Sequence, residues 1–496
     1  MEFAKKINEL KDIGFFENLE IERGIEKESL RINQDGDISE KKHPRLLGSS
    51  FTNPSITTDF AEALVEIVTP VFTNVDDLYN HLLGLHVFIN KSLDNELLWP
   101  FSIPPRIKSE SKINIATYAN NKAGNLKYVY RKGLAARYGK TMQCVSGIHF
   151  NFSLSEDSIS LLLRSKSQQD KNSAYLGLIR NFKRLFWFVL TEFGESSVVD
   201  KSFVNNRKND LDKLNETDLY KKNATSLRMS EIGYKSSAQE NLNIHYNDLE
   251  SFLEQIKEAI VKPYPEFAKF NKKGLDGLYD QISDGILQIE NELYDCIRPK
   301  RAASGDIRPH DILKSKGIKY VEVRGIDLSP NEVTGISKDQ IRILDLILLY
   351  CLIKESPEIN DLELESINAN DQAAIKNGRN SNTKVLFNGK QESISDARAN
   401  IISELNSIAK MLKGNDHEIA LKSLNFKKNT FNPSRSFHDA GVELAKKNHL
   451  EMLNIKNADM TPFINEAEES WVKFDKIPSD TIDDINDFLS SYNKNF

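Results

Sequence analysis

The sequence lacks an apolar run that could cross a membrane, which requires roughly 18 uninterrupted apolar residues. Its longest candidate, Ile341 to Leu352, is broken by Arg342 and Asp345. The first residues, MEFAKKINELKDIGFF, contain no continuous apolar segment and no small-residue cleavage site, so we expect no secretory signal. We therefore expect a soluble, cytoplasmic protein with no membrane partner.

Cysteine is scarce, and neither sign of charge dominates. Cys144, Cys296 and Cys351 are odd in number and widely spaced, which matches neither a disulfide framework nor a CxxC metal motif. Reduced thiols are typical of a cytoplasmic protein. The net charge of −6, from 66 basic and 72 acidic residues, provides no overall basic field, so we expect no nucleic-acid partner.

Three common catalytic motifs are also missing. The chain contains no GxxxxGK[ST] loop, no GxGxxG after a predicted strand and no GxSxG turn. A P-loop nucleotide site, a dinucleotide-binding fold and a hydrolase nucleophile elbow therefore each lack their defining sequence.

The 496 residues would permit about three domains at roughly 150 residues each, or one elaborated core. Short β-branched and aromatic runs separated by turns fill the first ~155 residues and return at roughly 285 to 330, which predicts strands. Apolar periodicity predicts buried helices at 175 to 193 and 338 to 354.

From about residue 355 onward polar residues dominate the sequence. Amphipathic helices are predicted at 396 to 413 and 437 to 453, with a loop at 429 to 436. The last ~20 residues are acidic and polar, and we expect them to be mobile. We predict one catalytic unit, with a sheet-containing core at 1–335 and a mainly helical supporting region at 336–496.

Glu26 and Glu28 are separated by one residue in the segment GIEKESL. In a strand, side chains two residues apart share a face, so both carboxylates point the same way. They are either part of a solvated edge strand or ligands of a cation, and oxygen ligands suit Mg²⁺ rather than zinc.

The segment ITTDFAEALVEIVTP at 56 to 70 is also acidic. Its β-branched end and terminal proline favour a strand, in which Glu62 and Glu66 share a face. Glu66 stands between Val65 and Ile67, where an ionised carboxylate is costly without a metal or a cationic partner. Both compensations remain open.

Two further strands place polar side chains opposite an apolar face. In GIHFNFS, His149 and Asn151 alternate with large apolar residues, and the histidine is either structural or a ligand. In YVEVRG, Glu322 and Arg324 alternate with valines. They form either a simple ion pair or a phosphoryl-transfer pair, in which the carboxylate binds Mg²⁺ and the guanidinium group binds phosphate.

A fifth strand is predicted at 287 to 294, with Gln288, Glu290, Glu292 and Tyr294 on one face. The basic residues Arg298, Lys300 and Arg301 follow it. They either bind a triphosphate or belong to an ordinary solvated turn. Together, these segments predict a sheet face that carries several carboxylates, a histidine and an arginine, which suits a nucleotide site with several magnesium ions.

Eight ordered blocks closely resemble the glutamate–cysteine ligases of the proteobacterial type. They are RGIEKESLRI at 23 to 32, ITTDFAEALVEIVTP at 56 to 70, NELLWPFSIP at 95 to 104, YRKGLAARYG at 130 to 139, SGIHFNFS at 146 to 153, ATSLRMSEIGY at 224 to 234, LQIENELYDCIRPKR at 287 to 301 and YVEVRGIDLSP at 320 to 330. The C-terminal third matches more loosely.

The resemblance implies an α+β fold of the glutamine synthetase-like type, with a curved antiparallel sheet that forms a funnel surrounded by helices. It implies ATP and two or three Mg²⁺ ions as cofactors, with Mn²⁺ as a substitute. The implied metal ligands are Glu26, Glu28, Asp59, Glu66, His149 and Glu322. Arg324 resembles the catalytic arginine that stabilises the transferring phosphoryl group.

The resemblance also implies the substrates L-glutamate, L-cysteine and ATP, and a monomer. Arg228 resembles the residue that holds a substrate carboxylate, and a planar guanidinium group suits this role. The implied cysteine pocket consists of Phe60, Tyr130, Leu134, Gln143, Val145, Tyr234 and Tyr294.

In the implied reaction, the glutamate side chain forms an acyl phosphate that the cysteine amine captures. Glu66 or a neighbouring carboxylate is the candidate base. The alternative is a ligase of the same fold that accepts another amine.

Overall fold

A computed structural model describes residues 2–205, 207–233, 236–240, 242–302, 307–456, 458–494 and 496. Its main sheet has seven strands, and six of them follow the order β2-β3-β1-β5-β10-β9, with β4 paired to β1. Every pairing in this sheet is antiparallel. The strands are β1 (Ile21–Asn33), β2 (Ile56–Thr58), β3 (Leu64–Val68), β4 (Glu96–Leu98), β5 (Ile148–Leu154), β9 (Ile297–Lys300) and β10 (Tyr320–Ile326).

Two smaller sheets lie outside the main one. A three-stranded sheet is formed by β6 (Val198–Asp200), β7 (Asp212–Lys213) and β8 (Asp218–Tyr220), and a hairpin by β11 (Lys384–Phe387) and β12 (Lys390–Ser393).

The helices surround these sheets. They are α1 (Glu2–Asp12), α2 (Val75–Ser92), α3 (Lys122–Tyr138), α4 (Glu156–Leu163), α5 (Gln168–Phe193), α6 (Lys201–Val204), α7 (Leu249–Val261), α8 (Pro309–Lys316), α9 (Lys338–Ile353), α10 (Asp361–Asn377), α11 (Ile394–Ala409), α12 (Asp416–Lys422), α13 (Phe437–Asn454), α14 (Thr461–Phe474) and α15 (Ile482–Ser491).

One face of the main sheet forms the core of the molecule. Ile25, Phe150 and Val323 on this face have no exposed surface, and they belong to the same apolar cluster as residues of α5 and α9. Gly325 lets α5 approach β10, because a Cβ at this position would lie 2.3 Å from the ring of Phe186. The opposite face is therefore free to carry polar groups.

Most of the predicted elements are confirmed. The predicted strand regions contain all seven strands of the main sheet, and the predicted helices coincide with α5, α9, α11 and α13. The α9 helix begins at a capping box, in which Ser337 and Gln340 satisfy each other's backbone amides,. An α+β fold with an antiparallel sheet and surrounding helices is confirmed.

The predicted single strand at 56 to 70 is wrong, because a turn separates β2 from β3. Glu62 lies in this turn, where its carboxylate accepts hydrogen bonds from the backbone amides of His43 and Thr117. It therefore does not share a strand face with Glu66.

The predicted strand at 287 to 294 is also wrong. Glu290–Glu292 form a short 3₁₀ helix, and the side chains of Gln288 and Glu292 bond to α3. Glu292 accepts hydrogen bonds from Arg137 and Tyr138 at 3.1 and 2.9 Å. The alternating polar residues of this segment therefore belong to a loop that hydrogen bonds fix to α3.

The expectation of a mobile end is wrong for residues 482 to 491, which form α15. Ile485 and Leu489 are buried beside Val129 of α3.

The division into a catalytic core and a supporting helical region stays a prediction. Within the described ranges, no helix combines the length and the apolar character that a membrane span requires. All three cysteines are buried and unpaired with one another.

Candidate active site

A cleft of about 390 Å³ lies over the polar face of the main sheet, within the usual size range of small-molecule sites. It is lined by fifteen of the candidate site residues named from the sequence and from the family resemblance. These are Glu26, Glu28, Asp59, Phe60, Glu66, Tyr130, Leu134, Gln143, Val145, His149, Tyr294, Arg298, Lys300, Glu322 and Arg324.

Strand pairing brings the acidic residues together. Glu28 on β1 lies directly opposite Glu66 on β3, and Glu26 lies directly opposite His149 on β5. Because directly opposed residues on one face lie about 5 Å apart at Cβ, four potential ligands converge in the middle of the sheet. The turn after β2 adds Asp59 to the same wall of the cleft.

Hydrogen bonds hold this acidic cluster in place. Glu26 accepts from the side-chain amide of Asn151 at 2.9 Å, and its other oxygen lies 3.2 Å from His149 Nδ1. Glu28 accepts from the backbone amide of Gly147 at 2.9 Å, and its Oε1 lies 3.6 Å from His149 Nε2. Potential ligand atoms of Glu26, Glu66 and His149 all lie within 4.8 Å of one another.

The electrostatics of the cluster favour a bound cation. Burial raises the pKa of Glu66 well above its ordinary value, and the nearby carboxylates Asp59, Glu26 and Glu28 raise it further. Burial also raises the pKa of Glu28, despite the opposing effect of His149. A divalent cation would remove this repulsion, and oxygen with one imidazole is a suitable donor set for magnesium or manganese.

A second cluster, on β9 and β10, is dominated by positive charge. Glu322 Oε2 lies 3.0 Å from both Arg298 Nη2 and Arg324 Nη1, and Glu322 Oε1 lies 3.3 Å from Lys300 Nζ. Burial raises the pKa of Glu322, but Lys300, Arg324 and Arg298 together hold it well below its ordinary value. Three cations therefore converge on one carboxylate, an arrangement that suits an anionic ligand.

One side of the cleft is more apolar. Phe60, Leu134 and Val145 are nearly buried there, and Gln143 Nε2 lies 3.3 Å from the Tyr294 hydroxyl oxygen. This wall combines a small apolar surface with hydroxyl and amide groups. Tyr234, the remaining member of the predicted pocket, lies outside the described residues.

Two predicted residues are not placed on the cleft wall. Arg228 is 1% exposed, and its Nη2 donates to the carbonyl oxygen of Arg324 at 3.1 Å. A Cβ at Gly147 would lie 2.0 Å from this guanidinium group, which explains the glycine. Arg301 donates instead to the backbone carbonyl of Gly317, so the geometry lends no support to phosphate binding by Arg301, which stays a prediction.

Some cleft residues were not predicted from the sequence. Lys127 and Arg131 reach the cleft from α3, and Tyr492 reaches it from the end of α15. Arg131 stands in the block YRKGLAARYG, so the resemblance contained a signal for it. Lys127 lies one helical turn before Arg131, and the helical period could have revealed it. We find no sequence signal for Tyr492.

Comparisons with known proteins identify the family to which the chain is similar. The family model described as glutamate–cysteine ligase matches residues 8–374. The glutamate–cysteine ligase of Shewanella halifaxensis is 36% identical over 519 aligned positions, which cover 99% of each chain. That of Pseudomonas paraeruginosa is 42% identical over 407 positions, which cover 80% of this chain and 77% of the relative.

Two solved structures share the fold. A glutamate–cysteine ligase from Francisella tularensis, in complex with AMP, matches with a TM-score of 0.87 at 27% identity and covers 96% of this chain and 99% of its own. A bifunctional glutathione synthetase from Pasteurella multocida matches with a TM-score of 0.66 at 23% identity, over 95% of this chain and 55% of its own.

Proposed function

The chain belongs to the glutamate–cysteine ligase family, and we propose that it uses ATP to join the side-chain carboxyl group of L-glutamate to the amino group of L-cysteine, the first step of glutathione biosynthesis. One observation carries this proposal: a single cleft unites the carboxylates and histidine of the sheet with Arg324, Arg298 and Lys300. Such a combination of metal ligands and cations suits phosphoryl transfer.

The chemistry has two steps, because a carboxylate is a poor electrophile. The glutamate side-chain oxygen attacks the γ-phosphorus of ATP, the bond to ADP breaks, and γ-glutamyl phosphate forms. The cysteine amine then attacks the acyl carbon, and phosphate leaves with the electron pair of the broken C–O bond. A cleft carboxylate, with Glu66 as the candidate, accepts the proton that the amine loses.

The acidic cluster is the candidate magnesium site. The residues that would hold the ions are Glu26, Glu28, Asp59, Glu66, His149 and Glu322. When bound, Mg²⁺ neutralises charge on ATP phosphates and on the surrounding carboxylates. Mn²⁺ prefers similar oxygen and imidazole ligands and is an expected substitute.

The cations beside Glu322 act on the phosphates. Arg324 is proposed to stabilise the negative charge that develops on the transferring phosphoryl group, and Glu322 orients it through their 3.0 Å ion pair,. Lys300 and Arg298 stand next to it and are proposed to bind the other phosphates. The preassembled ion pairs keep these side chains ordered before substrate arrives.

The apolar wall is proposed to select the amine substrate. Phe60, Leu134 and Val145 offer a surface of the size of a thiol side chain, while Gln143, Tyr130 and Tyr294 supply polar contacts. Arg228 is proposed to hold a substrate carboxylate. A direct contact requires its guanidinium group to turn away from the carbonyl oxygen of Arg324, which it now contacts at 3.1 Å.

The test measures phosphate release from ATP, first with glutamate alone and then with cysteine added. We expect little release with glutamate, strong release with both, and none with EDTA. Mass spectrometry of a mixture of competing amino acids identifies the amine that is incorporated. A product without cysteine would favour a γ-glutamyl ligase of different amine specificity, and no magnesium-dependent ATP turnover would contradict the proposal.

We further propose that the protein acts as a cytoplasmic monomer. Light scattering should give the mass of a single chain with and without substrates. A larger stable assembly would contradict this.

A further inference from the structure

The C-terminal end of the chain reaches the cleft. Tyr492 directly follows α15 and lines the same cavity as Arg298, Lys300 and Glu322. It is the one cleft-lining residue among the described residues that follow α9. A single aromatic side chain thus links the predicted supporting region to the site.

Helix α15 is fixed to the wall of the cleft. Its residues Ile485 and Leu489 are buried against Val129 of α3, and Asn486 Nδ2 donates to the carbonyl oxygen of Gly277 at 3.0 Å. Since α3 also supplies Lys127 to the cleft, the two helices hold Tyr492 at a defined distance from the site.

Arg308 orders the residues beyond the helix. Its Nη1 donates to the Tyr492 carbonyl oxygen at 2.9 Å and to Asn493 Oδ1 at 3.0 Å. Its guanidinium carbon lies 4.3 Å from the centroid of the Tyr492 ring. Arg308 is itself held by Glu290, through two hydrogen bonds of 3.0 and 3.1 Å.

The ring of Tyr492 also packs on Phe488, with centroids 5.6 Å apart. Neither Phe488 nor Arg308 is among the residues that line the cleft, whereas Tyr492 is. The part of Tyr492 that these two neighbours leave uncovered therefore faces the cavity. An ordered aromatic surface loses little entropy when a ligand binds to it.

The residues that flank Glu290 and Arg308, the pair that holds Tyr492, define the kind of ligand. Ile289 and Pro309 add apolar surface, and Asn291 adds an amide. Arg298 connects this group to the cations, because its Nη1 donates to the Asn291 carbonyl oxygen at 3.2 Å. An aromatic and apolar slot next to a phosphate-binding cluster suits the planar base of a nucleotide.

We propose that Tyr492 is a nucleotide-binding residue that contacts the adenine base of ATP, with Ile289, Asn291 and Pro309 as the other walls. This inference rests on the proposed function, since it assigns the base end of the same ATP site. The C-terminal region then contributes directly to substrate binding and does not only support the fold.

The experiment measures AMP binding to Tyr492→Ala by calorimetry, beside the binding of magnesium tripolyphosphate, which has no base. Base–aromatic stacking is worth about 1–3 kcal/mol, so we expect AMP affinity and 1/KM for ATP to fall on the order of tenfold. The affinity for tripolyphosphate, kcat and the KM for glutamate should stay unchanged. Tyr492→Phe should bind AMP as the wild type does.

Phe474→Ala is the matched control, since it removes a ring that packs on Trp471 in α14, outside the cleft, and should leave AMP affinity unchanged. Should Tyr492→Ala fail to fold, Tyr492→Leu keeps apolar bulk without an aromatic face. Unchanged AMP affinity, or an equal loss for AMP and tripolyphosphate, would overturn the assignment of the base. Wild-type protein that neither binds AMP nor turns over ATP would instead contradict the proposed function.

Discussion

The cleft face and the core face of the main sheet are built from the same strands but have opposite chemistry. Glu26, His149 and Glu322 line the cleft. Their immediate neighbours Ile25, Phe150 and Val323 are buried on the other face with no exposed surface. Alternation along three strands thus separates a charged surface from an apolar one by the thickness of one sheet.

Because the two faces differ in chemistry, ligand binding depends on the cleft face and stability depends mainly on the core face. Like charges that lie side by side on neighbouring strands oppose folding unless a cation compensates them, as the raised pKa of Glu66 indicates,. The apolar face offsets this by burying large side chains against α5 and α9,. Substitutions on the core face should therefore change the free energy of unfolding, and substitutions on the cleft face should change binding and turnover.

The strongest test concerns a charged pair on the core face. Asp345 of α9 is fully buried and lies 2.7 Å from Arg23 Nε on β1 and 3.2 Å from His417 Nε2. Asp345→Asn leaves Arg23 without its counter-charge, and we expect a loss of about 3–5 kcal/mol in the free energy of unfolding at pH 7. Urea unfolding measures this, and Asp339→Asn, which changes a carboxylate on the same helix whose side chain is 45% exposed, should change it by less than about 1 kcal/mol.

The pair of Asp345 and Arg23 should also make the free energy of unfolding depend on pH. Burial raises the pKa of Asp345, but Arg23 and His417 outweigh this effect and hold it below its ordinary value. A depressed carboxyl pKa stabilises the fold above the unfolded pKa of about 3.9, and this contribution is lost as the pH falls through the folded value. The difference between wild type and Asp345→Asn should therefore shrink below about pH 4, and a constant difference would contradict it.

On the cleft face, Arg324→Ala should have the largest effect. Removing a group that stabilises transition-state charge costs about 10²–10³ in kcat, while the KM for glutamate should change far less. Steady-state kinetics measure kcat and KM, and thermal unfolding checks that the variant is folded. Arg301→Ala, which removes a guanidinium group outside the cleft, should keep wild-type kcat, and an Arg324→Ala enzyme of normal turnover would exclude the proposed role.

Glu66→Gln should weaken magnesium binding but stabilise the metal-free fold. The variant loses one proposed ligand, so the magnesium concentration for half-maximal activity should rise at least about tenfold. In EDTA, removal of a buried like charge should raise the free energy of unfolding by about 1 kcal/mol. Glu62→Gln is the matched control, because its carboxylate bonds to Thr117 outside the cleft. A Glu66→Gln protein with unchanged magnesium dependence would argue against this ligand.

Val145→Ile should have the smallest effect. Val145 lines the apolar wall of the cleft and is 6% exposed, so an added methylene can extend toward the cavity and should cost less than the roughly 1–3 kcal/mol of overpacking in a closed core. We expect the KM for cysteine to change by less than about tenfold, with kcat unchanged. A larger increase in the KM for cysteine, or a fall in kcat, would show that this wall fits its substrate more tightly than its shape indicates.

The faces of the strands could be predicted from sequence because alternation is a local property. Glu26 with Glu28, His149 with Asn151, and Glu322 with Arg324 each share a face by period alone. The same rule failed at 287 to 294, where Gln288 and Glu292 bond to α3 and the segment forms no strand. Periodicity identifies a face but does not identify the partner that the face meets.

The sequence by itself therefore determined the separation of polar from apolar faces in each strand, and the resemblance of its blocks determined the family. Tertiary structure decided which faces meet. Only the pairing of β1 with β3 and β5 brings Glu28 opposite Glu66 and Glu26 opposite His149, and only the docking of α15 on α3 brings Tyr492 to the cleft. The reason is physical: side-chain direction follows from the local backbone, whereas distances between remote segments depend on packing of the whole chain.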